Sequence, residues 1–136
     1  MNMDISLPDK TILEVTFLKK NDFYTISLQN QDYLIVGGDE GIHTNLIGIA
    51  KNGTVYYITT DDGVLCYISP NIEIFVKELL LYDEYMNHKF SENLDDSMLS
   101  DFANQFRKEI LKFDNSAFDS GSTYWSEICE EMEYGF

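Results

Sequence analysis

Apolar and polar residues alternate along the first half of the chain. Over Thr11–Leu18, Leu13, Val15 and Phe17 fall on one face and Glu14 and Thr16 on the other, the period of a half-buried strand. Asn21-Asp22 reads as a turn, and Phe23–Leu28 as a second strand. A polar stretch, Gln29–Asp32, leads into Tyr33–Val36, which Gly37-Gly38 should end; Asp39–Asn45 is then a polar loop. Leu46–Ala50 and Thr54–Thr60 flank Lys51-Asn52-Gly53. Asn-Gly between apolar runs is the strongest short hairpin signal, because both central residues of a type I′ turn need positive φ. Asp61-Asp62-Gly63 repeats the device before Val64–Ile68. These segments predict a meander of about five or six mostly antiparallel strands over residues 11–68.

The period then changes. Ile72, Phe75, Val76, Leu79, Tyr82 and Met86 recur at spacings of three and four, one stripe of a helix over about 71–88. The Asn71 side chain can cap it, with Ser69 or Pro70 as the other possible entry, and Glu73 suits the positive end of the helix dipole. That stripe should lie across the sheet, and a shorter one, Ile74, Leu81 and Tyr85, should receive the C-terminal helices. After a polar linker over 87–93, a helix over about 97–113 directs Leu99, Phe102, Ala103, Phe106, Ile110 and Phe113 inward. A last helix over about 123–134 buries Trp125, Ile128, Cys129 and Met132, with Gly135 at its stop. The expected fold class is α+β: residues 1–136 as a single domain, a twisted mostly antiparallel sheet with C-terminal helices packed on it.

Charge narrows the partners. The chain carries 24 acidic and 9 basic side chains, a net charge of −15, of which −8 falls within residues 91–136. Such a field repels nucleic-acid phosphates and anionic membranes and attracts basic surfaces. Arg107, Lys108 and Lys112 form one small basic spot inside it, so neither nucleic acid nor membrane is an expected partner. Cys66 and Cys129 lie far apart and outside any Cys-x-x-Cys pattern, which predicts free thiols in a reducing cytoplasm. Residues 1–10 have neither a basic n-region nor an apolar h-region, so no signal peptide is expected. The longest apolar run, Leu79–Tyr82, is too short to span a bilayer.

Reactive groups are scattered rather than gathered. His43 stands near Asp39 and Glu40, residue types suited to metal or proton chemistry, but no second histidine lies within helical or strand reach. Asp61-Asp62-Gly63 fails the alternation and closing Glu of a calcium loop, and Gly37-Gly38 lacks the Lys and helix of a phosphate loop. Turn chemistry accounts for both. No serine sits in a nucleophile elbow, and neither cysteine has a histidine nearby in sequence. No catalytic, cofactor or metal residue is therefore expected, and the chain reads as a binding protein rather than an enzyme. Glu130, Glu131 and Glu133 crowd the last turns of the final helix, where the dipole is negative, and a rule broken without local compensation is consistent with a partner. Tyr33, Tyr56, Tyr57 and Tyr67 crowd the strands, and tyrosine is common in interfaces as well as in ordinary sheets. Charge and aromatic character together select Asp39, Glu40, Tyr56, Asp61, Asp62, Glu127, Glu130 and Glu131 as candidate contact residues.

The order strand, Gly37-Gly38-Asp39, strand, Asn52-Gly53, strand, then Ser69-Pro70-Asn71-Ile72-Glu73-Ile74-Phe75 resembles the SUKH superfamily of bacterial immunity proteins. Lys112-Phe113-Asp114-Asn115-Ser116-Ala117-Phe118, followed by Tyr124-Trp125-Ser126-Glu127-Ile128, is similar to the fourth SUKH branch, which ends in an aromatic-Trp pair and an acidic helix. Ser69 stands where the family often has Asn, and residues 1–30 show little of the helix that usually accompanies Leu7-Pro8. The resemblance implies a non-catalytic antitoxin that binds a secreted toxin, commonly a nuclease or nucleic-acid deaminase. A regulatory scaffold of the same fold, binding a host protein, is the alternative. A small hydrolase with distant carboxylates would require paired acids with shifted pKa values in a pocket.

Overall fold

A computed structural model of the chain describes residues 6–39, 44–89 and 93–135. It contains six strands, β1 (Thr16–Phe17), β2 (Tyr24–Leu28), β3 (Gln31–Gly38), β4 (Asn45–Ala50), β5 (Val55–Thr59) and β6 (Val64–Ser69), followed by α1 (Ile72–Glu84), α2 (Asp96–Phe113) and α3 (Tyr124–Glu133). The strands form one antiparallel sheet in the order β1-β3-β4-β5-β6, with β2 also paired to β3. Because β4 occupies one edge of β3, β1 and β2 share the other as a broken strand. The Leu18 amide still reaches the Val36 carbonyl at 2.8 Å, after which the chain loops out through a 3-10 turn at Lys20–Asp22 and returns at Tyr24.

Both glycine hairpins form, with Gly53 at φ +95° and Gly63 at φ +64°, but Asn52 and Asp62 do not share the left-handed region, so neither is the type I′ turn the Asn-Gly signal implied; the pair of adjacent positive-φ residues falls instead at Gln29-Asn30, between β2 and β3. Two further expectations are corrected. Thr11–Leu18 is not one strand: Leu13 and Glu14 take φ of +53° and +62°, and Ile12 and Val15 exchange both backbone hydrogen bonds across them. The alternation of Leu13, Val15 and Phe17 imitates a strand while the backbone reverses. Gly37-Gly38 also does not end the third strand but lies within it. A bulge at Val36 shifts the register there, and a Cβ on Gly37 would stand 2.7 Å from the Thr16 carbonyl oxygen. Glycine is needed at that point for β1 to approach.

The sheet has two apolar faces. Val36, Ile47, Ile49, Val55 and Ile68 meet the helices through Phe75, Leu79, Phe106, Trp125 and Met132 in one continuous core. Tyr33, Ile35, Leu46, Ala50 and Ile58 form a smaller cluster on the opposite face, filled in by Ile26, Leu28, Tyr56 and Leu65 of the sheet itself. Each helix carries a side-chain cap: Asn71, as read from the sequence, and also Asp95 and Thr123 accept from the amides of Ile74, Met98 and Ser126 respectively. Beyond Glu84 the first helix continues as a π-helical turn, Tyr85–Lys89. The predicted inward residues of α2 are buried except Phe113, which is exposed. Tyr85 does receive α2, with its ring centroid 5.5 Å from Phe102 and 5.2 Å from Phe106.

Trp125 is the hub of the helical layer. Its ring lies 5.2 Å from Tyr124, 5.6 Å from Phe106 and 6.5 Å from Tyr82. One residue on the apolar stripe of α1 has the wrong chemistry for a core: Glu78 is fully buried. Both its carboxyl oxygens, the Ser69 hydroxyl and the Trp125 indole nitrogen are buried without a hydrogen-bond partner at full geometry. Burial pushes the Glu78 carboxyl up to about 8; Ser69 and Trp125 pull against that rise, and nearby Asp114 adds to it.

Candidate partner-binding groove

Between α3 and the helix-facing side of β5 and β6 runs an open groove lined by Leu13, Glu14, Tyr57, Cys66, Tyr82, Tyr124, Glu127 and Glu131, among others. Each wall follows from local structure. The left-handed turn thrusts Leu13 and Glu14 out of the sheet edge. Tyr57 is on the helix-facing side of β5 and lies 5.6 Å, ring to ring, from Tyr124 at the start of α3. Glu127 and Glu131, one helical turn apart, put two carboxylates on the same exposed edge of α3.

The floor is aromatic and the rim acidic. Burial raises the Tyr57 hydroxyl above its ordinary range, and Asp39, Glu14, Cys66 and Glu127 raise it further. Tyr82 is pushed up to about 12, first by burial and then by Glu131. Burial is the larger cause of both shifts, and the neighbouring carboxylates act in the same direction. Cys66 is pushed up to about 11 by burial and Glu127, so its thiol stays protonated at neutral pH; it donates to the Ser122 carbonyl at 3.1 Å. Tyrosine faces beside carboxylates suit a guanidinium or ammonium carried on an apolar stem.

The structure brings together only some of the residues chosen from the sequence. Glu127 and Glu131 line the groove, Asp39 contributes to its field, and Glu130 shares the outer face of α3 with them and Tyr134. Asp61 and Asp62 are exposed in the turn that joins β5 to β6, next to the lining residues Thr59 and Val64. Tyr56 is elsewhere: it stacks edge-on between Tyr33 and Tyr67 on the opposite face of the sheet. Glu40 and His43 lie outside the described residues. Asp39 also serves locally, its carboxylate accepting from the Asn45 side chain at 3.1 Å.

Glu14, Tyr57, Tyr82 and Tyr124 were not chosen from the sequence. The period-two rule places Tyr56 and Tyr57 on opposite faces but does not say which face meets the helices. The crowded glutamates of α3 are partly explained: Glu133 pairs with Arg107 of α2, whereas Glu127, Glu130 and Glu131 make no ion pair among the described residues. A smaller recess at the β1–β2 edge, lined by Leu7, Phe17, Phe23, Lys19 and Lys20, has the opposite charge character.

The Leu13–Glu14 turn stores strain where it presents a charge. A left-handed conformation costs a non-glycine residue about 1 kcal/mol. Glu14→Gly is therefore expected to raise stability by about 0.5–1 kcal/mol in urea unfolding while removing one rim charge. A loss of stability would show that the Glu14 side chain supports the fold instead.

Among the described residues, no group of three or more His, Cys, Asp and Glu side chains is placed to hold a metal ion. Among them also, no helix is long and apolar enough to cross a membrane. A family model described as SUKH-4 immunity protein matches residues 4–131 of the chain. No curated protein and no solved structure matches it.

Proposed function

The chain belongs to the SUKH-4 immunity protein family, and on that premise we propose that it neutralises a cognate bacterial toxin in the cytoplasm by stoichiometric occlusion, without chemistry of its own. The toxin is a basic nuclease or nucleic-acid deaminase domain. The single observation that carries this is the groove, an aromatic floor under a rim of Glu14, Glu127 and Glu131. An enzyme that binds phosphates presents cationic side chains around its site, and an acidic groove speeds their encounter and complements their charge. Asp39, Asp61, Asp62 and Glu130 extend the negative surface around the groove. Tyr56, on the far face, drops out of this contact set. One core shared by sheet and helices supports treating residues 1–136 as one domain.

The hydrolase alternative loses ground here. Among the described residues, the carboxyl moved out of its ordinary range is Glu78, which is buried beside Trp125 and does not line the groove.

The test is titration with the protein encoded by the neighbouring gene. Its nucleolytic or deaminase activity is expected to fall linearly and to vanish at one equivalent, with a 1:1 complex in size-exclusion chromatography. Activity that persists with the immunity protein in excess, and no complex, would overturn the proposal.

A further inference from the structure

Glu78 does not line the groove, yet a single residue, Trp125, separates it from two of the groove's aromatic side chains. Its carboxyl on α1 faces Ser69, the last residue of β6, and Trp125, the second residue of α3. Trp125 in turn packs edge-on against Tyr124 and at a tilt against Tyr82, the two aromatic side chains of the floor that come from α3 and α1. The site is closed: Glu78, Ser69 and Trp125 are all fully buried. Among the described residues, the other charged group acting on the carboxyl is Asp114, of the same sign, at the end of α2, whose Oδ2 accepts from the Tyr67 hydroxyl at 2.8 Å. No ion pair among the described residues reaches Glu78.

We propose that Glu78 is a positioning residue of the groove: as the neutral acid it joins the end of β6, through Ser69, to α3, through Trp125, and so sets Tyr82 and Tyr124 in the floor. Three orphaned groups then answer one another. The acid proton has Ser69 Oγ as its acceptor, and the remaining carboxyl oxygen is the acceptor for the indole N–H, which has no other use for its donor. Loss of the proton leaves a buried anion to which Ser69 and Trp125 can still donate, but whose burial costs more than those two bonds return and which Asp114 repels. The relief open to the chain is to separate α3 from α1 and let water in. The acidic wall, Glu127 and Glu131, rides on that helix. This role rests on the groove being the contact site, but the linkage of Glu78 to α3 does not.

Amide hydrogen exchange of α3 and the fluorescence of Trp125, the only tryptophan in the chain, are measured from pH 6 to 9.5 in the native sequence and in Glu78→Gln. After correction for intrinsic exchange, protection of α3 in the native protein is expected to fall about tenfold from pH 7 to 9. Tryptophan emission should shift to the red with a midpoint near 8. Glu78→Gln, which keeps the shape and cannot ionise, should show neither change. Equal losses in both proteins would overturn the role of Glu78, as would a flat response in the native protein; the second criterion holds even if the variant does not fold. A toxin that binds neither protein at any pH would instead remove the assignment of the groove, since exchange and fluorescence need no partner.

Discussion

Glu78→Gln is expected to be more stable than the native sequence by about 4 kcal/mol at pH 8.5, and by only about 1 kcal/mol at pH 5. The sign follows from the direction of the shift. Burial raises the folded-state value from 4.5 to about 8, so between those limits the native state holds a proton that the unfolded chain has released. Raising the pH through that window draws the equilibrium toward the unfolded chain, at about 1.4 kcal/mol per unit of pH, and the loss levels off above the folded-state value. Glutamine presents the same outline with an amide, donates toward Ser69, accepts from Trp125 and pays no ionisation cost. Urea unfolding of both proteins at pH 5, 7 and 8.5 reads the difference directly. A gap that stays constant with pH would mean that Glu78 is already ionised or already solvated in the native state. Glu78→Ala is a different experiment, because it deletes volume from the core and should destabilise at every pH.

Glu78 also marks where the sequence stops being legible. It lies three residues after Phe75 and four before Tyr82, so the helical period places it on the apolar stripe of α1. Polarity argues for the opposite face, and polarity is the stronger prior for a carboxylate. Only the neutral acid resolves the conflict, and neutrality comes from burial, which the folded chain alone creates; Ser69 and Trp125, brought beside the carboxyl from distant parts of the sequence, by themselves favour the charged form. Local chemistry was enough elsewhere. Asn52-Gly53, Asp62-Gly63 and the Asn71 cap each act through their own backbone neighbours, and the inward faces of α2, Phe113 excepted, and of α3 follow from spacing. The Leu13–Glu14 turn was hidden because no glycine or asparagine announces it; tertiary contact, not propensity, holds two ordinary residues in the left-handed region. The groove was half visible. Of the groove acids, Glu131 stood out by breaking the dipole rule, but Glu14 comes more than a hundred residues earlier, and nothing short of the fold brings it beside α3.

Reversing the rim should be far more damaging to binding than to folding. Glu14→Lys, Glu127→Lys and Glu131→Lys combined are expected to weaken the complex with the cognate toxin by at least about 100-fold at low salt, close to 3 kcal/mol. All three side chains are exposed and make no ion pair among the described residues, so unfolding should show little change beyond the modest effect of net charge. Two features separate a docked groove from simple attraction between opposite charges. The same change in total charge at Asp96, Asp101 and Asp119, exposed at the start of α2 and in the loop before α3, should slow association by only a few-fold, since it alters the far field without touching the contact. In the groove variant the loss should also persist at 0.5 M salt as faster dissociation, because lysines now face the partner's cations at short range, where screening is weak. If both triple variants lose the same affinity, and salt abolishes the loss in both, the acidic surface steers the partner but the groove does not hold it.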